Sequence, residues 1–380
     1  CDTGVDVIAE QPMIEKKYEL GKKYLDAKKR IREQIEEGRF EEKIPGERVL
    51  AEQIGYSYLT IRHAINELVD EGILYRLPRK GTFITDTDNI DETSDPKSMV
   101  GFFLHASHRH GISSPYYSKV FNHLQKHITL KRLNLFYFTD IRQIDRQIDQ
   151  NAVLAVIAAA FPEYETELVD LSSKLPVVLF DNSIKRHKIP SVVIDNFNAT
   201  YRIVEYAMEL GHKKIGYVSA PQKSSVGLKR LAGYQTALLD YGIGLDKQIV
   251  YAGDYEFDSG YQAAGYFYDL SVMPSHIHCA NDLMAMGLIK GLSEKGLKIP
   301  SDVSISGFDD IDGSDRYVPS ITTMAVDYDK MAGNVVDTVV KLINRKPIDP
   351  LTTIIPAELI VRESTCPFQP SRSKLSQFSA

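Results

Sequence analysis

The sequence predicts two units of different class in one chain, a small α+β unit of three helices and a hairpin and then a larger α/β unit built on parallel sheets. Three observations predict it. Residues 24–84 read as three helical stretches punctuated by Gly and Pro and closed by two strand-like runs. A polar stretch follows. From Met99 onward, apolar strand-like runs alternate with amphipathic helices, the pattern of strands covered on both faces by crossover helices. A chain of 380 residues is too long for one compact core, so two or three domains are expected.

Tyr24 to Glu37 is the first helix, with Leu25, Ala27, Ile31 and Ile35 near helical spacing. Ile44-Pro45-Gly46 opens the second, Glu47 to Ile54, and Gly55 ends it. Ser57 can cap a third helix that runs to about Glu71 and stops at Gly72. Ile73–Tyr75 and Thr82–Ile84 then flank the basic turn Pro78-Arg79-Lys80-Gly81. Three helices followed by a basic hairpin make a winged helix-turn-helix, assigned to residues 16–86.

In that geometry the second helix of the pair lies in the major groove of double-stranded DNA. It would present Tyr58, Thr60, Arg62 and His63 just after Ser57. Arg62 suits guanine O6/N7, and Thr60 a phosphate or a thymine methyl. Arg48 joins a cation to a helix start, which suits a phosphate. Arg79, Lys80 and Gly81 form the wing tip, where cations enter a minor groove. Lys23 completes the DNA-facing candidates. The alternative for any of these is a solvated helix face.

The net charge of −6 argues against nucleic acid, but its distribution matters more. Residues 16–86 hold 15 Lys+Arg against 13 Asp+Glu, and the rest of the chain 30 against 38. A mildly basic piece on an acidic body suits local DNA contact. No run approaches the roughly 18 apolar residues a membrane span requires. Cys1, Cys279 and Cys366 are an odd number and far apart, which favours a reducing, cytoplasmic setting over a disulfide framework.

Residues 87–98 read as a linker, 99–365 as the α/β unit and 366–380, rich in Ser and Pro, as a disordered tail. Strands are expected at Met99–Leu104, Leu133–Tyr137, Val153–Ala158, Val177–Phe180, Ser191–Ile194, Lys214–Val218, Ile249–Ala252, His276–Cys279 and Val303–Gly307. Helices are expected at Tyr116–Leu130, Asn198–Leu210, Lys229–Tyr241, Ser259–Leu270, Leu283–Lys295 and Asp329–Asn344. Periodicity alone leaves open whether these make one large domain or two lobes. No glycine-rich phosphate loop follows the first strand, and no Ser/His/Asp or Cys/His constellation stands out, so neither catalysis nor a cofactor is expected. His105, His108 and His110 are close in sequence. Without a fourth ligand they read as a polar loop at a cleft edge rather than a metal site.

The stretch IPGERVLAEQIGYSYLTIRHAINELVDEGILYRLPRKGTFI resembles the gluconate-repressor (GntR) type of winged helix over its whole length. Gly46 stands where that pattern has Ser, and Tyr58 where it has a DNA-contacting Arg. Residues 99–363 resemble the ligand-binding domain of lactose/purine (LacI-type) repressors, on VVIDNFNATYRIVEYAMELGHKKIGYVS, CANDLMAMGLIKGLSEKGLKIPSDVSISGFDDID and PSITTM. That resemblance implies a periplasmic-binding-protein-like domain of two Rossmann-like lobes. The chain would cross between them near Asn196, Met324 and Asp349, with a sugar in the cleft.

Position-for-position, the resemblance nominates Asp181, Arg230, Asn281 and Asp309 as the polar ligand set, Tyr255 as a stacking aromatic, and Tyr116 and Tyr117 as cleft wall. Asp181 or Asp309 could instead satisfy loop amides, Tyr117 could be core, and Asp282 reads as a cap for the helix at Leu283. The whole chain is most similar to bacterial arabinose repressors, which implies a pentose effector, a homodimer on operator DNA and repression under ligand control. The competing reading is a sugar-binding protein of transport or chemoreception with no DNA function.

Overall fold

The computed structural model describes residues 24–35, 37–40, 43–70, 73–77, 81–84, 98–106, 109–149, 152–159, 162–184, 186–221 and 224–369. The chain forms two compact units, Cys1–Ser94 and Asp95–Ala380.

In the first unit, helix α1 (24–35) precedes α2 (Glu47–Ile54), α3 (Tyr58–Asp70) and the antiparallel hairpin of β1 (Leu74–Leu77) and β2 (Gly81–Ile84). Ala27 and Ile31 of α1, Leu50 and Ile54 of α2, and Ile61, Ile65 and Leu68 of α3 share one core. Their spacing of three and four residues puts them on single helix faces. Gly55, at φ +81, ends α2 with its N–H on the Ala51 carbonyl. Ser57 Oγ accepts the Thr60 N–H at 3.2 Å and meets the Thr60 hydroxyl at 2.8 Å, so it caps α3. Gly81 lies at φ +120, and a Cβ there would come within 2.5 Å of Lys43 Cε.

The second unit has two six-stranded sheets. The first runs in the order β4 (Asn134–Phe138), β3 (Met99–Phe103), β5 (Val153–Ala159), β6 (Val177–Phe180), β7 (Ser191–Ile194), β13 (Thr352–Ile355), all parallel. The second runs β9 (Val250–Ala252), β8 (Ile215–Ser219), β10 (His276–Cys279), β11 (Ser304–Asp309), β12 (Thr322–Val326), β14 (Ala357–Ile360), with only the β12–β14 pair antiparallel. Helices α4 (Pro115–Leu130), α5 (Ile141–Asp149), α6 (Glu165–Lys174) and α11 (Tyr328–Ile343) pack on the first sheet. Helices α7 (Asn196–Glu209), α8 (Ser225–Asp240), α9 (Phe257–Tyr268) and α10 (Asp282–Glu294) belong to the second lobe. The predicted class, α+β winged helix-turn-helix followed by a two-lobed α/β domain, is the one observed.

The chain passes between lobes after β7, after β12 and between β13 and β14. The third passage is at Pro356, seven residues beyond the expected Asp349, because β13 returns to the first sheet before the chain leaves it. Helix α9 packs on α10 at backbone distance: a Cβ on Gly260 or on Gly287 would lie 2.0 Å from the Met284 or the Phe257 carbonyl oxygen. Residues 366–369 of the expected tail are held against the second lobe, while 370–380 lie outside the described residues. The His212 imidazole bonds the Cys366 carbonyl at 3.0 Å, and the Phe368 N–H donates to Leu210 at 2.8 Å. His212 is buried there and also bonds Ser275 at 2.9 Å.

Candidate nucleic-acid interface and ligand cleft

In both sheets the first strand sits beside the third, with the second on the outer side, so each lobe has a switch point where its strand order reverses. Ligands of open α/β sheets bind at the carboxyl ends of strands beside such points. A cavity of about 600 Å3 lies there between the lobes. Asp181 follows β6, Asn281 follows β10 and Asp309 ends β11. Tyr116 and Tyr117 lie in the first turn of α4, Arg230 is on α8 and Tyr255 stands before α9. All seven line this one cavity. Asp181, Tyr255 and Asp309 adopt positive φ of 68°, 73° and 100°, a conformation side chains rarely tolerate and one that concentrates at functional sites.

Arg230 is 3% exposed. Its Nε donates to Asn196 Oδ1 at 2.7 Å, one terminal nitrogen to the Ala280 carbonyl, and the other to Asp309 Oδ1 at 3.0 Å. The guanidinium carbon lies 3.6 Å from the centre of the Phe308 ring. Two of its five N–H groups and Asp309 Oδ2 remain for a ligand. The Tyr328 hydroxyl donates to the Asp309 carbonyl at 2.9 Å. Asn196 and Tyr328 each stand next to a passage between lobes, so the polar set is bonded directly to two of them.

Asp181 Oδ1 and the Tyr116 hydroxyl are buried at this cavity without a well-formed hydrogen bond, and the neighbouring Tyr116 hydroxyl lowers the Asp181 carboxyl against the effect of burial. Buried polar groups are costly unless paired, so this pair marks where a hydroxyl-bearing molecule fits. Burial raises the Asp181 carboxyl to about 6; Arg230 opposes that rise and Asp309 adds to it. Burial also raises Asp309, against the pull of Arg230. Tyr255 is pushed up to about 12 by burial, and its hydroxyl meets Ser224 Oγ at 3.2 Å.

Tyr117 is both things the sequence left open, 6% exposed in the hydrophobic core and lining the cavity. Asn281, not Asp282, caps α10: its Oδ1 accepts the Met284 N–H at 3.0 Å while its Nδ2 donates to the Tyr255 carbonyl at 2.8 Å. Asp282 is fully buried and accepts from the Ile311 N–H at 3.0 Å and the Thr323 hydroxyl at 2.7 Å. The cap lies one residue earlier than expected because Asn281 is the residue with extended backbone, at φ −151° and ψ 172°.

The lobes meet around the rim. The Ser225 hydroxyl donates to Asn182 Oδ1 at 2.5 Å, His110 pairs with Glu256 at 3.3 Å, and Lys119 donates to the Asp310 carbonyl at 2.7 Å. His105 stacks on Tyr164 with ring centres 3.8 Å apart. Among the described residues no group of three or more His, Cys, Asp or Glu side chains is placed to hold a metal; His108 lies outside them. Sequence reasoning missed Asn182, Tyr164, Ser224 and Ser225. Their signal was position alone, since each follows a strand of the two sheets within a few residues.

In the first unit, Arg48, Ser57, Tyr58, Arg62 and His63 are exposed, and Thr60 is half-buried with its hydroxyl held by Ser57. His63 packs against the Tyr24 ring at 4.5 Å. Arg48, Tyr58 and Gly81 line a groove of about 480 Å3 with Lys43, which the sequence reading overlooked. Gly46 caps α2 without a side-chain bond, and the start of that helix lines the groove with the cations Lys43 and Arg48 and the carboxylate of Glu47. Leu59, 72% exposed, adds an apolar contact beside Tyr58. Lys23, Arg79 and Lys80 lie outside the described residues. Among the described residues no helix is long and apolar enough to cross a membrane.

Comparison with known proteins follows the same division. Residues 23–84 match the model of bacterial regulatory proteins of the gntR family, and residues 204–365 that of a periplasmic binding protein-like domain. The chain is 26% identical over 331 residues to the HTH-type transcriptional repressor PurR of Proteus mirabilis, covering 83% of this chain and 95% of that one. It is 30% identical over 222 residues to the repressor CytR of Escherichia coli, covering 58% of this chain and 64% of the relative. A LacI-family transcriptional regulator from Enterococcus faecium, solved with bound ribose, matches its fold at a TM-score of 0.64 and 22% identity, over 71% of this chain and all of that one. The chain joins a helix-turn-helix unit that matches the gntR-family model to a two-lobed unit that matches the periplasmic binding protein-like model, and the relatives it matches are transcriptional repressors.

Proposed function

We propose that this chain is a cytoplasmic transcriptional repressor that binds operator DNA as a homodimer and is controlled by a small sugar in the interlobe cleft. The observation that carries the reading is the convergence of Asp181, Arg230, Asn281 and Asp309 with Tyr116, Tyr117 and Tyr255 in one interlobe cavity, in a chain that also bears a winged helix. Carboxylates accept hydroxyl hydrogens, and the Arg230 fork donates to hydroxyl oxygens. Tyr116, Tyr117 and Tyr255 offer apolar faces to the C–H side of a sugar ring. The resemblance to arabinose repressors makes a pentose the first sugar unit to test.

On the DNA side, Arg62 and His63 face the major groove from α3, and Arg48 and Lys43 hold phosphates. A dimer presents two such helices about one helical turn apart. Ligand redirects Arg230 and Asp309, whose partners Asn196 and Tyr328 flank two passages between the lobes. The lobes shift and the half-site spacing that fits DNA is disfavoured. A transport receptor has no use for the winged helix.

The test is anisotropy of a duplex selected from a randomised pool, read at several salt concentrations with and without sugars. Binding that weakens steeply with salt and changes about 5–150-fold with one sugar is expected. Arg62→Ala should relax base preference, while Arg48→Ala should lower the salt slope by about one. Failure to select any duplex, or equal affinity with every sugar that binds, overturns the reading.

A further inference from the structure

The cleft is large for one sugar ring. Its volume of about 600 Å3 corresponds to the liquid share of roughly twenty water molecules. A single ring, of roughly a dozen non-hydrogen atoms, leaves much of that empty, and cavities of roughly 300–1,000 Å3 enclose drug-sized ligands. Closing the lobes further is not a way out. They already meet through Ser225 and Asn182, His110 and Glu256, and Lys119 and the Asp310 carbonyl.

The lining also changes from one end to the other. Arg230, Asp309 and Tyr117, all under 9% exposed, form an inner end with Asp181. Toward solvent stand the exposed Glu163 and Arg109, the stacked His105–Tyr164 pair and Glu256. That outer end repeats the chemistry of the inner one, with carboxylates to accept hydroxyl hydrogens beside an aromatic ring.

We propose that the effector is a neutral two-ring carbohydrate, a disaccharide, with one ring on Asp181, Arg230 and Asp309 and the second against Tyr164 between Glu163 and Glu256. The proposal rests on the sugar-effector reading and names the ligand class within it. Carboxylates outnumber cations in the lining, with Glu163, Asp181, Asp254, Glu256 and Asp309 against Arg109 and Arg230, which disfavours phosphorylated sugars and nucleotides. Glu163 and Tyr164 then set specificity by contact with the second ring, while Arg230 and Asp309 hold the first.

The test is calorimetry on the full chain with arabinose, xylose, glucose and galactose, and with the disaccharides arabinobiose, xylobiose, cellobiose and lactose; cytidine and adenosine serve as competitors. At least one disaccharide should bind tenfold or more tightly than its component monosaccharide. Tyr164→Ala and Glu163→Ala should each collapse that ratio toward one, whereas Asp309→Asn should weaken both ligands together. A monosaccharide that binds as tightly as every disaccharide containing it overturns the two-ring proposal and leaves the sugar reading standing. So does a ratio untouched by either outer substitution. No carbohydrate binding, or displacement of sugar by a nucleoside at lower concentration, overturns both.

Discussion

Asp181→Asn tests whether the cleft keeps an unsatisfied charge for its ligand. The carboxyl is raised from 3.8 to about 6, chiefly by burial. That change corresponds to about 3 kcal/mol of folding stability withheld once the group is ionised, at about 1.4 kcal/mol per pH unit. The sign follows from the folded-state value lying above the unfolded one. The penalty is absent below about pH 3, grows between about pH 4 and 6, where the unfolded carboxyl ionises ahead of the folded one, and is complete near neutrality. Asparagine has the same shape, carries no charge and tolerates the φ of 68° at this position better than most residues. The variant should therefore be more stable than the native chain at pH 7.5, by up to about 3 kcal/mol, and by only about 1 kcal/mol at pH 4.5. For a domain of this size each kcal/mol moves Tm by roughly 2–4 °C. Urea and thermal unfolding of the ligand-free protein at both pH values measure this, and sugar binding should be lost in parallel. A gain of equal size at both pH values, or a loss at pH 7.5, would refute the assignment of Asp181 as a buried, ligand-awaiting carboxylate.

Three further outcomes are expected. Ser57→Ala removes the side-chain acceptor at the start of α3 and should cost the first unit about 1 kcal/mol in denaturant unfolding. Arg230→Ala leaves Asp309 and Asn196 buried without their partner and should cost about 3–5 kcal/mol in the ligand-free protein; adding Asp309→Asn should return part of that loss, which a double-mutant cycle reads directly. The fully buried His276 and His278 are held well below 6.5 by burial, so they favour folding above that value and lose the contribution as pH falls below it. The native chain should lose stability more steeply between pH 6.5 and 5 than His278→Asn does, measured as the difference between their urea midpoints.

The winged helix was legible because punctuation there is chemical: Pro45, Gly55, Ser57 and Gly72 mark the breaks and apolar residues keep one period between them. The central strands were legible as apolar runs. What escaped had weak local signal. Helix α5, IRQIDRQID, shows three isoleucines on an otherwise charged stretch; β12 to β14 are only four or five residues long, the first two opening on Thr-Thr and the third carrying Glu358, and they pair with strands distant in sequence. The ligand set was reached through resemblance, since nothing local distinguishes Asp181 from Asp282. The difference is tertiary: Asp282 finds Thr323 and Ile311, while Asp181 Oδ1 has no well-formed hydrogen bond. The Arg230–Asn196 bond and the His105–Tyr164 stack join residues that no periodicity connects.

The order of synthesis bears on how the molecule is made. Strand β13 completes the edge of the first sheet and β14 the edge of the second, and both lie at Thr352–Ile360, after every other strand of the two sheets. The groove-reading unit has its own core and is translated first. A growing polypeptide thus carries a finished reader while both halves of its sensor still lack a border strand. Truncation before Thr352 would leave both sheets of the second unit without an edge strand while the core of the first unit stays whole.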